Sequence, residues 1–467
     1  MNEDFEDFDE NYIIDLVTRF ENMLSEKGQC FFDVEEYEDI IDYYFEKDNL
    51  KKTDIAIELA MQQHPYTHTF LLKKAQLLAS SDKPEKALNM LEQIERKYGE
   101  DPDITLVKAS IYSQLKHYEK SIEAYKKAAE SFDEPADIFA NIAYEYQNTG
   151  NYTKALFYLK KAIKADPAND SILYELGYCF EVLNRTEEAV KFFNLYIDEN
   201  PYSDVAWFNL GIAYSNLELY EKAIEANDYV IAINTTFISG FFNKANAFIN
   251  LERYEEAIAV YQEILEIEEA DAMTYYYMGE CYEKLKMYDQ ATENYNKALE
   301  IDEFLADAWM GLGVVHEETG NFIKAQFFMA NAIKIEPINA DYWYIMGDLQ
   351  YKTGMLEKSL ESYRKVCELN PKDTDIWIDI SEVIAETGTI EQAIDSIAEG
   401  ILEQPKNAAF QYRHAGYLFI AGLEKEALLK LEESLNLDYR GYIDLLDYLP
   451  QLKLNSGVTD LIEFYKK

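Results

Sequence analysis

The four tryptophans of this chain, Trp207, Trp309, Trp343 and Trp377, stand 102, 34 and 34 residues apart. All share one phase of a 34-residue period, and a period of that length restricts a chain to a tandem array of one small supersecondary unit. On that phase, units start at 34, 68, 102, 136, 170, 204, 238, 272, 306, 340, 374 and 408 without insertion or deletion, and tile residues 34–441.

Each column of the array has a physical reading. The twentieth is small in every unit, from Thr53 and Ala87 to Ala393 and Ala427, and the eighth is Ala, Gly or Ser in all but the first, where Ile41 stands. Small residues at two facing columns let two helices cross closely. Large residues at the fourth, seventh, eleventh and twenty-fourth columns carry the spacing of amphipathic helices packed on one another. Gly150, Gly320, Gly354, Gly388 and Gly422 share the fifteenth column, where a short turn reverses the chain. Pro65, Pro167, Pro201, Pro337, Pro371 and Pro405 share the thirty-second and end the second helix. The unit is a helical hairpin, and the expected fold class is all-α.

The pattern resembles the tetratricopeptide repeat family over 408 of 467 residues. The family signature is nearly complete between Trp309 and Pro337. Departures along the array are local: His316 and Gln350 replace the aromatic of the eleventh column, and Thr235, Glu269 and Glu303 replace the closing proline. The resemblance implies a right-handed superhelical solenoid of antiparallel helical hairpins, whose first helices line a concave surface.

An array of this kind must cover its two terminal hydrophobic faces. Residues 1–33 read as an acidic segment and a capping helix with Ile13, Ile14, Val17, Phe20 and Leu24 on one stripe. Residues 442–467 read as closing helices that offer Tyr442, Leu445, Leu446 and Leu449, then Val458, Leu461, Ile462 and Phe464.

The residues outside the array are too few for a catalytic domain. There is no HExxH, GxxxxGK or GxSxG, and the four cysteines fit neither a disulfide framework nor a metal site. Pro65 separates His64 from His68 at a unit boundary and breaks their i, i+4 spacing. The expectation is no enzyme, no cofactor and no metal. With 88 acidic against 43 basic residues, the formal charge of −45 argues against nucleic acid. The acidic start is unlike a signal peptide, and no stretch is apolar enough to insert in a membrane, so the expected location is cytoplasmic.

Function then falls to the concave face, where the partner is a protein or peptide. The fifth column is apolar from the fifth unit onward, with Tyr174, Phe208, Phe242, Tyr276 and Tyr344. The sixth adds Asn141, Asn209, Asn243 and Tyr277, and the ninth adds Tyr144, Tyr178 and Asn246. Two readings stand: rings packed between neighbouring first helices, or a groove in which rings and amides hold an extended segment. The acidic surplus also has two readings, solubility or a basic partner. A recruitment patch would comprise Glu35, Glu38, Asp39, Asp42 and Glu46, with acids recurring at Asp375, Asp379, Glu382 and Glu386. The chain reads as a protein-interaction scaffold or adaptor, with a structural subunit docking through its ends or convex face as the alternative. The oligomeric state is not legible.

Overall fold

The computed structural model describes the backbone of residues 3–26, 30–133, 135–267, 271–372 and 374–466, and the side chains among them except those of residues 3–11, 26, 374 and 375. The chain divides into two compact units, residues 1–235 and 236–467. Among the described residues all regular secondary structure is helical, and the architecture is an all-α array of antiparallel hairpins.

In the first unit the hairpins pair Val34–Glu46 with Leu50–Gln63, Thr69–Ser80 with Pro84–Tyr98, Pro102–Gln114 with Tyr118–Ala129, Ala136–Asn148 with Tyr152–Ala165, Asp170–Val182 with Thr186–Glu199, and Asp204–Asn216 with Tyr220–Ile233. In the second unit they pair Ile238–Asn250 with Tyr254–Ile267, Ala272–Lys284 with Tyr288–Ile301, Ala306–Glu318 with Phe322–Ile335, Ala340–Lys352 with Leu356–Leu369, Thr374–Thr387 with Ile390–Glu403, and Ala408–Ile420 with Glu424–Leu437.

The turn within each hairpin follows from backbone hydrogen bonding. In the unit starting at 136, the amide of Gly150 donates to Gln147 O and that of Asn151 to Tyr146 O, each at 2.8 Å, which satisfies the last carbonyls of the helix and requires a left-handed residue between. Gly150, Gly320, Gly354 and Gly422 supply it, and so do the non-glycine residues Asp48, Asp82, Lys116, Asn184, Glu218, Glu252 and Lys286. Gly388 does not take this conformation. There Thr389 and Gln392 form a capping box for the next helix, and a Cβ on Gly388 would meet Gln392 Oε1 at 2.3 Å.

Both small columns are buried except at Gly177, which is half-buried, and Ser121 Oγ donates to Ala109 O at 2.8 Å across one hairpin. Glycine at the eighth column does more than allow close approach, because it admits a large residue from the twenty-fourth. A Cβ on Gly347 would lie 2.4 Å from the Tyr363 ring, and one on Gly279 would lie 2.7 Å from Tyr295. The third and tenth columns are buried as well, as at Ile104, Ile172 and Phe410, and at Ile111, Cys179 and Leu349. A first helix packs on its own partner and also on the second helix of the preceding hairpin: Tyr342 and Leu349 join Ala325, Met329 and Ala332 in one core.

At the start of the chain, Leu16, Val17 and Phe20 of helix Glu3–Glu26 pack on Tyr37, Ile40, Ile41 and Tyr44. Ile14, expected on that stripe, is exposed, and Leu16 takes the inward place. At the other end Leu445, Leu449, Val458 and Ile462 close over Leu431 and Leu435, whereas Phe464 points outward.

Candidate functional site

In the first unit the fifth and ninth columns form a cavity between helices Asp170–Val182 and Asp204–Asn216, backed by Thr186–Glu199. It encloses about 190 Å³ and is walled by Tyr174, Tyr178, Phe180, Phe193 and Phe208, with Gly177 and Asn209 together on one side. Tyr174 is 42% exposed and Tyr178 50%. The Tyr174 ring meets the edge of Phe208 at 6.3 Å, and Tyr178 meets Tyr152 at 5.9 Å. Partial burial raises the pKa of the Tyr174 hydroxyl, and the charges of Asp204 and Asp170 raise it further. The neighbouring Tyr152 hydroxyl does the same for Tyr178.

Asn209 departs from expectation. It is 6% exposed, and its Nδ2 donates to Val205 O of its own helix at 2.9 Å. Its amide occupies space that exists because residue 177 is glycine: a Cβ there would lie 1.8 Å from Asn209 Oδ1. Asn141 and Tyr144 on Ala136–Asn148 are half-buried. Asn141 lines a shallow depression with Gln76, Val107 and Tyr125, and burial followed by the charge of Glu175 raises the Tyr144 hydroxyl.

In the second unit the rings are packed. Phe242 is half-buried, with Tyr261 of its own hairpin at 5.7 Å and Tyr277 of the next at 6.2 Å, and those two tyrosines stack on each other. Tyr276 is 7% exposed and leans on Tyr295, so it forms core and not surface. The amides do not make a free ladder either. Asn243 Nδ2 is buried without a hydrogen-bond partner, and Asn246 Oδ1 accepts from the Tyr261 hydroxyl at 3.5 Å. Tyr344 donates to Asp379 Oδ2 at 2.9 Å.

That last bond belongs to a pattern the sequence reading missed. Tyr295 donates to Glu283 at 2.8 Å, Tyr363 to Asp348 at 2.6 Å, Tyr342 to Asp307 at 2.5 Å and Tyr351 to Glu386 at 2.7 Å. Burial raises the carboxyls of Glu280, Glu283 and Asp348, and the tyrosine bonds to Glu283 and Asp348 partly offset it. For Tyr295 and Tyr363 the signal was present as tyrosine in the twenty-fourth column opposite acid in the twelfth or ninth, whereas Tyr342, Tyr344 and Tyr351 each bond an acid 35 residues away in a neighbouring repeat.

The acidic patch of the first hairpin is less open than its sequence suggests. Asp42 is held by Lys73 at 2.5 Å, while Glu35 and Glu46 are exposed and Glu38 half-buried. Burial, then Asp42, Glu38 and Glu35, raises the Asp39 carboxyl. Glu382 is paired with Arg413, and the Asp375 side chain lies outside the described residues. His64 meets Phe32 O at 2.8 Å while His68 stacks on Tyr98, so the two face different partners. Among the described residues no group of three or more His, Cys, Asp or Glu side chains could hold a metal ion, and no helix is long and apolar enough to cross a membrane.

Family models described as tetratricopeptide repeat match residues 72–135, 141–204, 205–226, 238–271, 272–304, 306–339 and 340–373. The chain belongs to the tetratricopeptide repeat family. Among solved structures it is similar to the APC/C hetero-tetramer Cut9–Hcn1, with 14% identity, a TM-score of 0.41, and coverage of 82% of this chain and 89% of that one. It is also similar to YrrB, a protein of the same repeat with an unusual peptide-binding site, at 22% identity and a TM-score of 0.32, over 39% of this chain and 94% of that one. MamA matches at 18% identity and a TM-score of 0.32, over 35% of this chain and 95% of that one. No curated protein matches the sequence.

Proposed function

We propose that the chain is a non-catalytic protein-interaction scaffold that works in the cytoplasm, holding protein or peptide segments against the first-helix faces of its repeats. The observation that carries this reading is the cavity at Tyr174, Tyr178 and Phe208. Its two tyrosines stay about half exposed, although Tyr276, which shares the column of Tyr174 in a later repeat, is buried. Large rings held open beside a cavity supply contact area at low entropy cost to a ligand. The raised carboxyls of Glu283 and Asp348 support the non-catalytic part, since each sits on a tyrosine of the packing. The charge of −45 disfavours nucleic acid as the partner.

The test is affinity capture from a cell extract with the wild type and with a Tyr174→Ala/Tyr178→Ala variant, alongside thermal melts of both. Loss of captured proteins at an unchanged melting temperature is expected. Equal capture by the variant would contradict the proposal.

A second reading, a structural subunit docked through its outer face or end, has its own observation. Phe304, Ile323, Phe327 and Ile338 are largely exposed, as are Leu454 and Phe464. A protein that serves this way is oligomeric or poorly soluble alone.

A further inference from the structure

We propose that the cavity between Asp170–Val182 and Asp204–Asn216 seats a lysine or arginine side chain of an extended partner segment. This rests on the interaction-scaffold reading and names the chemistry of the segment. A volume of about 190 Å³ lies below the range of small-molecule and cofactor sites, about 300–1,000 Å³, and suits one side chain.

The walls and the rim differ in character. The walls are aromatic, and no lysine or arginine lines the cavity, where the one charged residue is Glu181. Around it stand Asp170 and Asp204, both close enough to act on the Tyr174 hydroxyl, and Glu175, which acts on Tyr144 and Tyr178. Asp204 also acts on Asp170, and its own oxygens accept from Val205 N and from Asn234 Nδ2, each at 2.8 Å. Two nearby cations, Lys160 and Arg185, both pair with Glu188, and Lys160 lies over Phe180.

An aromatic-walled cavity with acids around it and no lysine or arginine in its lining matches a ligand with an apolar stem and a cationic tip. Asn209 adds to the match. Its Nδ2 is held by Val205 O, which leaves Oδ1, an acceptor, over Gly177 in the wall. Lysine and arginine tips are donors only, so an acceptor suits them. An acidic segment would be repelled by the rim, and a neutral apolar one would gain nothing from it.

The experiment is selection of random dodecapeptides displayed on phage against three proteins: the full-length wild type, Tyr174→Ala/Tyr178→Ala, and Asp170→Asn/Glu181→Gln. All four substituted side chains are exposed, so the variants retain the fold, which thermal melts verify. Wild type should enrich peptides with lysine or arginine at one fixed position, and both variants should lose that enrichment. A synthetic copy of an enriched peptide should then weaken about tenfold when its basic residue becomes glutamine, with binding falling as salt rises from about 0.05 to 0.5 M.

Enrichment of peptides that need Tyr174 and Tyr178 yet carry no basic residue would overturn the cation pocket and leave the scaffold reading standing. Basic peptides that bind all three proteins alike would show diffuse attraction to an acidic chain and would overturn the inference. So would the absence of any peptide dependent on the two tyrosines.

Discussion

Trp309 Nε1 donates a 2.9 Å hydrogen bond to the carbonyl of Glu303, six residues earlier. The same bond joins Trp207 to Pro201 at 3.0 Å, Trp343 to Pro337 at 2.9 Å and Trp377 to Pro371 at 3.2 Å, and in the last repeat Gln411 reaches Pro405 O at 3.4 Å. What the fourth column reads is the carbonyl of the thirty-second residue and not its proline ring, so the bond survives at Glu303. In these four repeats the indole thereby ties the first helix to the turn that enters it.

Trp309→Phe and Trp343→Phe should each keep the packing and lose this bond, at a cost of about 1 kcal/mol. Hydrogen exchange of the adjoining turns should accelerate while distant repeats keep their protection, because each repeat leans mainly on its neighbours. Uniform acceleration along the chain would contradict the local account.

Glu218 and Lys116 hold the left-handed turn with φ near 58° in both cases. Either residue replaced by glycine should stabilise the protein by up to about 1 kcal/mol, since a side chain in this conformation costs roughly 1–2 kcal/mol and glycine gives part of that back as chain entropy. Gly150→Ala should cost a similar amount. Denaturant midpoints of the three variants check both signs.

Glu145 is 3% exposed, its Oε2 has no hydrogen-bond partner, and it stands in the tenth column, whose other buried members include Ile111, Cys179 and Val315. Glu145→Met should raise stability by about 1–3 kcal/mol by removing a buried carboxyl with an unpaired oxygen at similar volume. A destabilised variant would mean that the carboxyl has a role in the folded state beyond packing.

Asp348 carries a carboxyl whose pKa is raised chiefly by burial. A carboxyl raised on folding binds its proton more tightly in the folded state. Its contribution is full below the unfolded pKa of about 3.9 and is lost as pH rises through the folded value. Asp348→Asn keeps an acceptor for the Tyr363 hydroxyl. It should therefore raise stability near pH 7 and make little difference near pH 3.5, as denaturant titrations at the two pH values would show.

The period, the hairpin and both small columns were legible in the sequence because a one-dimensional array repeats its close contacts at fixed spacing. The burial of the third and tenth columns was not, since a single hairpin read as an amphipathic pair shows one buried face, while stacking gives each first helix a second. The site was read in part. Tyr174, Tyr178 and Phe208 meet at one cavity, but a fifth-column ring is open or buried according to its twenty-fourth-column neighbour and the next repeat. Phe242 faces Tyr261 and Tyr277, and that pairing is not visible in its own column. Asn209 likewise looked like a free amide because the i−4 carbonyl that holds it is backbone, which a sequence does not display.

Photo-crosslinking tests the central claim most directly. A benzophenone amino acid is placed at residue 178 on the first-helix face, at 195 on the exposed side of a second helix, or at 464 near the end of the chain, and crosslinked proteins are compared between the three. Tyr178, Leu195 and Phe464 are all exposed, so each substitution leaves the fold intact and reports its own surface. Partner adducts from residue 178, absent from 195 and 464, are the predicted result. Adducts only from 195 or 464 would contradict the claim that the first-helix face is where this protein holds its partner.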